Sequence, residues 1–325
     1  MAKSVVVAAH GHCFDGMCSS AIFSHLFSRL HPGEAIDFAY RACGYGPGEN
    51  GVDPRLLVGE ENVILDYRYS VSDKLTYYFD HHASAFPSPE ERASFEAAKQ
   101  RSPMRMFHDA AYGSCTKLIF DVARERLGVD MAEHAELVRW ADIIDAARFP
   151  SAEMAVARKE PALQLMTVVE SYGDAAFYAE LVPLLLSRSI DEIAALPRIK
   201  ELYAPKQAEL DGFVKLVEAA AVEKDGVVMV DLTANLLAVS PKFVTYALYP
   251  GSRYSIVVTR DAKRVKLSIG YNPWSARPRT HDISKICERH GGGGPPVVGA
   301  ITLTAADLER ARALATELAA ELGTG

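Results

Sequence analysis

Residues 77–84 read YYFDHHAS, an aromatic run that stops on an aspartate and two histidines. Burying an unpaired charge costs several kcal/mol, so a fold that sets Asp80, His81 and His82 at the end of an apolar strand must give them partners. A metal ion is one such partner. The same pattern recurs toward the N-terminus. VVVAA (5–9) runs into HGHCFDG (10–16), which carries His10, His12, Cys13 and Asp15, and NVILD (62–66) ends on Asp66. Short, continuous apolar runs of this kind are buried strands of a parallel sheet. Helically spaced segments follow them: MCSSAIFSHLFSRL (17–30), YGSCTKLIFDVARERLG (112–128) and HAELVRWADIIDAARF (134–149). Strand and helix alternating in this way predict an α/β layer with a mostly parallel sheet. In open parallel sheets the ligand crevice lies beyond the carboxyl ends of the strands, so the three polar strand ends converge although they are far apart in sequence.

The chain has 325 residues, 49% hydrophobic and 24% charged. At about 100–200 residues per domain this predicts two domains. Residues 152–222 read as helical, with Pro197 and Pro205 as interruptions. Strands return as GVVMVDL (226–232), RYSIVVTRD (253–261) and RVKLSIGYN (264–272), the last two joined by a tight hairpin at residues 262–263. The expected division is 1–195, a helical linker 196–224, and a smaller α/β domain 225–325. A net charge of −7 argues against coating nucleic acid through bulk charge, so a polyanionic substrate must be held by a local site. Five scattered cysteines without a CxxC pair argue against a disulfide framework or a zinc knuckle and suit a reducing cytoplasm. The first residues lack the h-region of a signal peptide, and no apolar run approaches the roughly 18–20 residues of a transmembrane helix. A soluble cytoplasmic protein without membrane partners is expected.

Carboxylates and imidazoles mixed at one place suit a borderline-hard divalent ion. Mn²⁺ is the best match, with Mg²⁺, Fe²⁺ or Co²⁺ also compatible. The acids exceed what one ion needs. Two ions roughly 3.5–4 Å apart and sharing a carboxylate would activate a water and neutralise a phosphoryl group. His81 and His82 point opposite ways in an extended segment, so one ligates and the other faces the phosphate or holds the loop. Asp142 and Asp145 in WADIIDAARF are three apart and share a helix face. Near the C-terminus, Gly291, Gly292, Gly293 and Gly294 form a run that gives up stability unless the backbone must approach something closely; an anion cradle of exposed N–H groups is the reading taken. YNPWSARPRTHD (271–282) sets Tyr271 and Trp274 beside Arg277 and Arg279, a pattern suited to base stacking and phosphate contact.

These residues resemble the DHH phosphoesterases, named for the triplet seen here as Asp80, His81 and His82. HGHCFDGMCSSA resembles the first motif, Asp66 the second, the triplet the third, and Asp142 the fourth. The glycine run looks like the loop of the family's C-terminal associated domain. The resemblance covers most of the chain and is closest to the short members that act on oligoribonucleotides or 3′-phosphoadenosine 5′-phosphate. It implies an N-terminal parallel-sheet DHH domain with flanking helices, a smaller α/β associated domain, and an active site in the cleft between them. It also implies that Asp66 bridges two Mn²⁺ ions, that His10 joins it on one, and that Asp15, His81 and Asp142 complete the other. His12, Cys13 and Asp145 are further candidate ligands, and His82 and Asp80 are the catalytic pair. The glycine run, Arg277 and Arg279 would bind substrate. Two departures stand out: Cys13 occupies a position where most members carry an aspartate, and Pro295 stands where a histidine is expected. The resulting expectation is a metal-dependent phosphoesterase that hydrolyses phosphodiester or phosphomonoester bonds of a short nucleic acid or nucleotide (short oligoribonucleotides, dinucleotides or 3′-phosphoadenosine 5′-phosphate), with a catalytically impaired nucleotide-binding regulator as the alternative. A homodimer is one assembly open to it.

Overall fold

The computed structural model describes residues 2–44, 51–237, 241 and 243–324. The chain runs β1 (Lys3–His10), α1 (Phe14–Leu30), β2 (Ile36–Cys43), β3 (Glu61–Leu65), β4 (Tyr77–Asp80), α2 (Pro89–Arg101), β5 (Met106–His108), α3 (Cys115–Arg126), α4 (Ala135–Asp145), α5 (Ala152–Ala157), α6 (Pro161–Tyr172), α7 (Ala175–Ser187), α8 (Ile190–Ala194) and α9 (Pro197–Ala220). It continues through β6 (Ala221–Lys224), β7 (Val227–Leu236), α10 (Val244–Leu248), β8 (Tyr254–Arg260), β9 (Arg264–Tyr271), α11 (Ile283–Glu288), β10 (Val298–Thr304) and α12 (Leu308–Gly323). Two compact units result, one of residues 1–149 with 159–203 and one of 150–158 with 204–325.

In the first unit, five strands in the order β2-β1-β3-β4-β5 form an all-parallel sheet. The apolar runs are continuous because both faces are covered. On one side Ile64, Tyr78 and Met106 pack with Phe95 of α2. On the other, Phe23 of α1 lies edge-on to Phe79 with ring centroids 6.0 Å apart. The edge strands β2 and β5 were not signalled by apolar runs. β2 (IDFAYRAC) is only half-buried and mixes polar with apolar residues, and β5 has three residues. The chain goes from β1 to one neighbour, β2, and then returns to the other side of β1 as β3. Crevices open at the carboxyl end of such a switch point.

The second unit is a mixed sheet, β10-β9-β8-β7-β6, in which only the β7–β8 pair is parallel. Alternation decides its two faces. Val227, Tyr254, Ile256 and Val258 pack with α11 and α12, whereas Val228, Val230 and Leu232 pack with Leu210, Phe213 and Val217 of α9. β8 and β9 are joined through residues 262–263 as expected, with the Asp261 N–H donating to the Arg264 carbonyl at 2.9 Å.

The turn from β1 into α1 sets the site. The Tyr178 hydroxyl lies 2.5 Å from the His10 carbonyl oxygen and 2.9 Å from that of Cys13, so α7 fixes this turn. Gly16 passes so close that a Cβ there would lie 2.4 Å from the His10 carbonyl oxygen. The neighbour is backbone and cannot rotate away. Gly16→Ala is therefore expected to destabilise the protein by about 1–3 kcal/mol in chemical denaturation, the range for an overpacked interior; an unchanged unfolding midpoint would show that the turn relaxes freely.

Candidate metal centre

The carboxyl ends of the three central strands carry the site. β1 ends on His10, β3 leads into Asp66, and β4 ends on Asp80 and leads into His81 and His82. Asp66 is 1% exposed and holds φ at 51°, a left-handed backbone that few non-glycine residues adopt. Strain of this kind persists where surrounding structure over-determines it. Its Oδ2 lies 3.4 Å from Cys13 Sγ, and its Oδ1 lies 3.5 Å from His81 Nε2. The two oxygens of one carboxylate thus face two different groups of side chains.

One group is His10, Cys13 and Asp66, another is Asp15, His81 and Asp145, and Asp66 and His81 form a third with His82. In each, the ligand-capable atoms lie within 4.8 Å of one another. Cys13 is the residue preceding α1, where a side-chain oxygen usually caps the helix, yet it makes no cap and turns to Asp66 instead. Asp15 is buried against the start of α3, its Oδ2 accepting from the Cys115 N–H at 2.7 Å and its Oδ1 from the Thr116 N–H at 3.0 Å. The Ser114 hydroxyl takes the next donor, from Lys117 at 3.1 Å. The helix N-terminus stabilises the carboxylate it holds. His81 Nε2 lies 3.2 Å from Asp145 Oδ2 and 3.9 Å from Asp15 Oδ2. Its Nδ1 faces the Tyr112 carbonyl at 3.2 Å; donating there leaves Nε2 as the ligating nitrogen.

Two atoms are buried here without a hydrogen-bond partner, Asp66 Oδ1 and His81 Nε2. Such atoms are costly unless something satisfies them. A divalent cation among the carboxylates and imidazoles would do so, and the mixed donor set suits borderline metals. The electrostatics agree. Burial, then the carboxylates of Asp66 and Asp145, raise Asp15 well above the usual carboxylate range. Burial alone would lower His81, but Asp145, Asp66 and Asp15 outweigh it and push the imidazole up to about 11. Burial lowers His10 more than Asp66 raises it, which favours the neutral, ligating form. Burial followed by Asp66 and Asp15 raises Cys13, so the thiol keeps its proton until a cation replaces it.

Beside this centre, His82 Nδ1 lies 2.7 Å from Asp80 Oδ1, and the Tyr78 hydroxyl donates to Asp80 Oδ2 at 3.0 Å. The hydrogen bond with Asp80 is the main cause of a raised His82 pKa. The His82 side chain is about one-third exposed, whereas Asp80 is fully buried.

The structure separates residues that the sequence left together. Asp145 joins His81, whereas Asp142, the residue matched to the fourth motif, lies elsewhere. Asp142 Oδ2 is 3.5 Å from Arg148, its Oδ1 is 3.5 Å from the Ser114 hydroxyl, and a Cβ on Gly113 would be 2.6 Å from that same oxygen. It props the turn that starts α3 and thereby the N–H groups holding Asp15. One helical face was right for both aspartates, but Asp145, at the end of α4, reaches the strand ends. His12 is exposed, with φ 54°, and its N–H donates to the Gly173 carbonyl. It joins none of these groups.

The glycine run also differs from the cradle expected. The N–H groups of Gly291, Gly292 and Gly293 donate to the carbonyls of Glu288, Cys287 and Ala300. The close approach that requires glycine is to β10: a Cβ at Gly292 would lie 2.2 Å from the Ala300 oxygen, and one at Gly294 2.3 Å from the Val298 oxygen. Arg279 Nη1 donates to the carbonyls of His281 and Pro296, and Trp274 packs edge-on to Phe243. The Arg277 side chain lies against Gly226, and its carbonyl accepts from the Tyr271 hydroxyl. Tyr78, Thr116 and Tyr178 are supporting residues with no motif of their own. Only the serine before the α3 helical pattern, an N-cap signal, hinted at that helix start.

The sequence matches no protein-family model and no curated protein. Solved structures do match. A pGpG-specific phosphodiesterase, PggH from Vibrio cholerae, aligns over 98% of this chain and 99% of its own, at 19% identity and TM-score 0.68. The DHH domain of a member of a family of ribosomal proteins aligns over 97% of this chain and 86% of its own, at 12% identity and TM-score 0.55. The fold is that of the DHH family. RecJ from Thermus thermophilus, in complex with Mn²⁺, shares the DHH fold at 13% identity and TM-score 0.55, with this chain spanning 52% of its length. Among the described residues no helix is long and apolar enough to cross a membrane.

Two outcomes are expected at this centre. Below about pH 11, His81 in the ion-free protein carries a proton that a ligating Nε2 must lose, so Mn²⁺ binding should release protons and tighten as pH rises, by about tenfold per unit for each proton displaced. Calorimetry near neutral pH in buffers of different ionisation enthalpy reads this directly; a heat independent of buffer would contradict it. Secondly, Co²⁺ in the group formed by His10, Cys13 and Asp66 should give a near-ultraviolet sulfur-to-metal absorption that Cys13→Ser abolishes, and Cys13→Asp should shift preference toward Mn²⁺ and Mg²⁺.

Proposed function

We propose that this chain is a divalent-metal-dependent phosphoesterase that hydrolyses a phosphodiester or phosphomonoester bond of a short nucleotide, most specifically a linear dinucleotide. The observation that carries this is the meeting of Asp15, Asp66 and Asp145 at one buried nitrogen of His81. Asp66, His10 and Cys13 would hold one ion, and Asp66, Asp15, His81 and Asp145 the other. Mn²⁺ is the first expectation, with Mg²⁺ or Co²⁺ able to replace it. Divalent ions so held supply Lewis acidity toward a phosphoryl group and lower the pKa of water.

The chain's own residues do the rest. Asp80 accepts a hydrogen bond from the Nδ1–H of His82, fixing the ring, while the Tyr78 hydroxyl fixes Asp80. The imidazole therefore keeps a proton that it can donate to a phosphoryl or leaving oxygen, as a general acid does. Both arginines of the pair are exposed; Arg279 shapes its loop by donating to the carbonyls of His281 and Pro296, and Arg277 is assigned to substrate. A dinucleotide-sized substrate is favoured by the end-to-end match with a pGpG-specific phosphodiesterase, against a RecJ chain about twice as long. The acidic net charge agrees, since a long-strand nuclease would be expected to carry a basic channel.

The test is a turnover screen with Mn²⁺, Mg²⁺ or Co²⁺ across linear dinucleotides, oligomers of two to five nucleotides, cyclic dinucleotides and 3′-phosphoadenosine 5′-phosphate. Linear dinucleotides should give the highest kcat/KM. His82→Asn should lower kcat by about 10²–10⁴-fold, the worth of a positioned general acid, while leaving Mn²⁺ stoichiometry intact; Asp66→Asn should lose both. Tight nucleotide binding without turnover under every ion would instead make the protein a nucleotide-binding regulator.

A further inference from the structure

A second cluster of ligating side chains lies apart from the strand ends. His25 projects from α1, and Glu133 and His134 form the turn that leads into α4. His134 Nε2 is 3.2 Å from His25 Nδ1, and the two rings meet edge to face with centroids 4.6 Å apart. Glu133 Oε1 is 3.3 Å from His25 Nε2. One nitrogen of each imidazole and one Glu133 oxygen lie within 4.8 Å of one another. His25 Nε2 is nevertheless buried and makes no hydrogen bond.

We propose that His25, Glu133 and His134 form a further cation site, for a borderline divalent ion such as Zn²⁺, which ties together α1 and α4 at the ends remote from the catalytic centre. Two imidazoles and a carboxylate are a known zinc-binding set, and a tetrahedral ion with bonds of about 2.0–2.1 Å sets neighbouring ligand atoms about 3.3 Å apart. The separations to the His25 ring are of that size. They reach its two different nitrogens, so the ion takes one of them and the ring turns about its outer torsion to present it. Without an ion, the three groups form a chain in which His25 Nε2 lies near Glu133 but makes no hydrogen bond to it. Burial holds both imidazoles below their ordinary pKa, which keeps lone pairs available near neutral pH. Arg29, one turn further along α1, opposes a cation here, and the Glu133 carboxylate offsets it.

The location gives the site a consequence. Asp15 lies in the first turn of α1, about 15 Å along the axis from His25 at about 1.5 Å per residue. Asp145 is the last residue of α4, about 16 Å from the His134 end. The same two helices therefore carry Asp15 and Asp145 at one end and this cluster at the other. An ion here fixes the register of α1 against α4, and with it the spacing of two carboxylates around His81.

The experiment uses the full chain, stripped with chelator and re-equilibrated with Zn²⁺ alone. Wild type should retain about one more Zn²⁺ per chain than His25→Ala or His134→Gln, and its Tm should rise with Zn²⁺ while theirs does not. In a parallel equilibration with Mn²⁺, the Mn²⁺ retained by the catalytic centre should be equal in all three. In wild type, one of the first equivalents of Zn²⁺ should move the His25 and His134 imidazole resonances, a reading that needs no variant. Equal Zn²⁺ content and equal Tm response in wild type and variants, or imidazole resonances that stay in place, would overturn the site. Neither result bears on phosphoesterase turnover, so the two readings fail separately.

Discussion

Three carboxylates, from Asp15, Asp66 and Asp145, lie within 3.9 Å of a single imidazole nitrogen in a largely buried place. Like charges at such range cannot all persist in a poorly solvated interior without a cation between them. In the ion-free chain that cation is a proton on His81, and the donor set also suits a divalent metal. The rest of the first unit can be read as the means of holding these groups together. Strand β1, with both faces covered, delivers His10; the left-handed backbone at Asp66 turns its carboxylate between two groups of ligands; and the start of α3 binds both oxygens of Asp15.

That support extends outward in identifiable steps. Asp142 and Arg148 stabilise the turn at Gly113 and Ser114, Ser114 caps α3, and α3 holds Asp15. Tyr178 reaches from α7 to the carbonyls on either side of the HGHC turn, and Gly16 lets the helix begin with no Cβ in the way. Only the N–H groups of α3 touch a candidate ligand's carboxylate, that of Asp15; the others act on the turns that carry such residues. His82 sits at the rim of this crowd, its Nδ1 3.8 Å from Asp66 Oδ1 and its ring 4.5 Å from that of His81. Its closest partner is Asp80, and its ring is partly exposed.

Cys13 gives the centre an uneven character. One group of ligands is nitrogen, sulfur and oxygen, whereas the other is oxygen-rich with one imidazole. A thiolate prefers softer ions than a carboxylate does, so the two groups would differ in which ions they favour. In the second unit, the glycine run answers to packing: three of its N–H groups are engaged by neighbouring carbonyls, and its lack of side chains lets the backbone lie against β10. It does not make the anion cradle that composition alone suggested.

The sequence by itself determined the layered α/β class, the three central strands and the identity of the groups at their ends, because buried parallel strands must be continuously apolar and must stop where charge begins. It could not reveal β2 and β5, which are edge strands with little burial to mark them. Helical spacing placed Asp142 and Asp145 on one face and could go no further; which of them meets His81 depends on where α4 ends relative to β4, a distance in space that no local periodicity encodes. The glycine run was legible as a place of close backbone approach, but only the fold showed that the approaching surface is the protein's own β10. Residue type announces what chemistry a chain can do, whereas the partner of each buried polar atom is settled by packing between segments that the sequence keeps far apart.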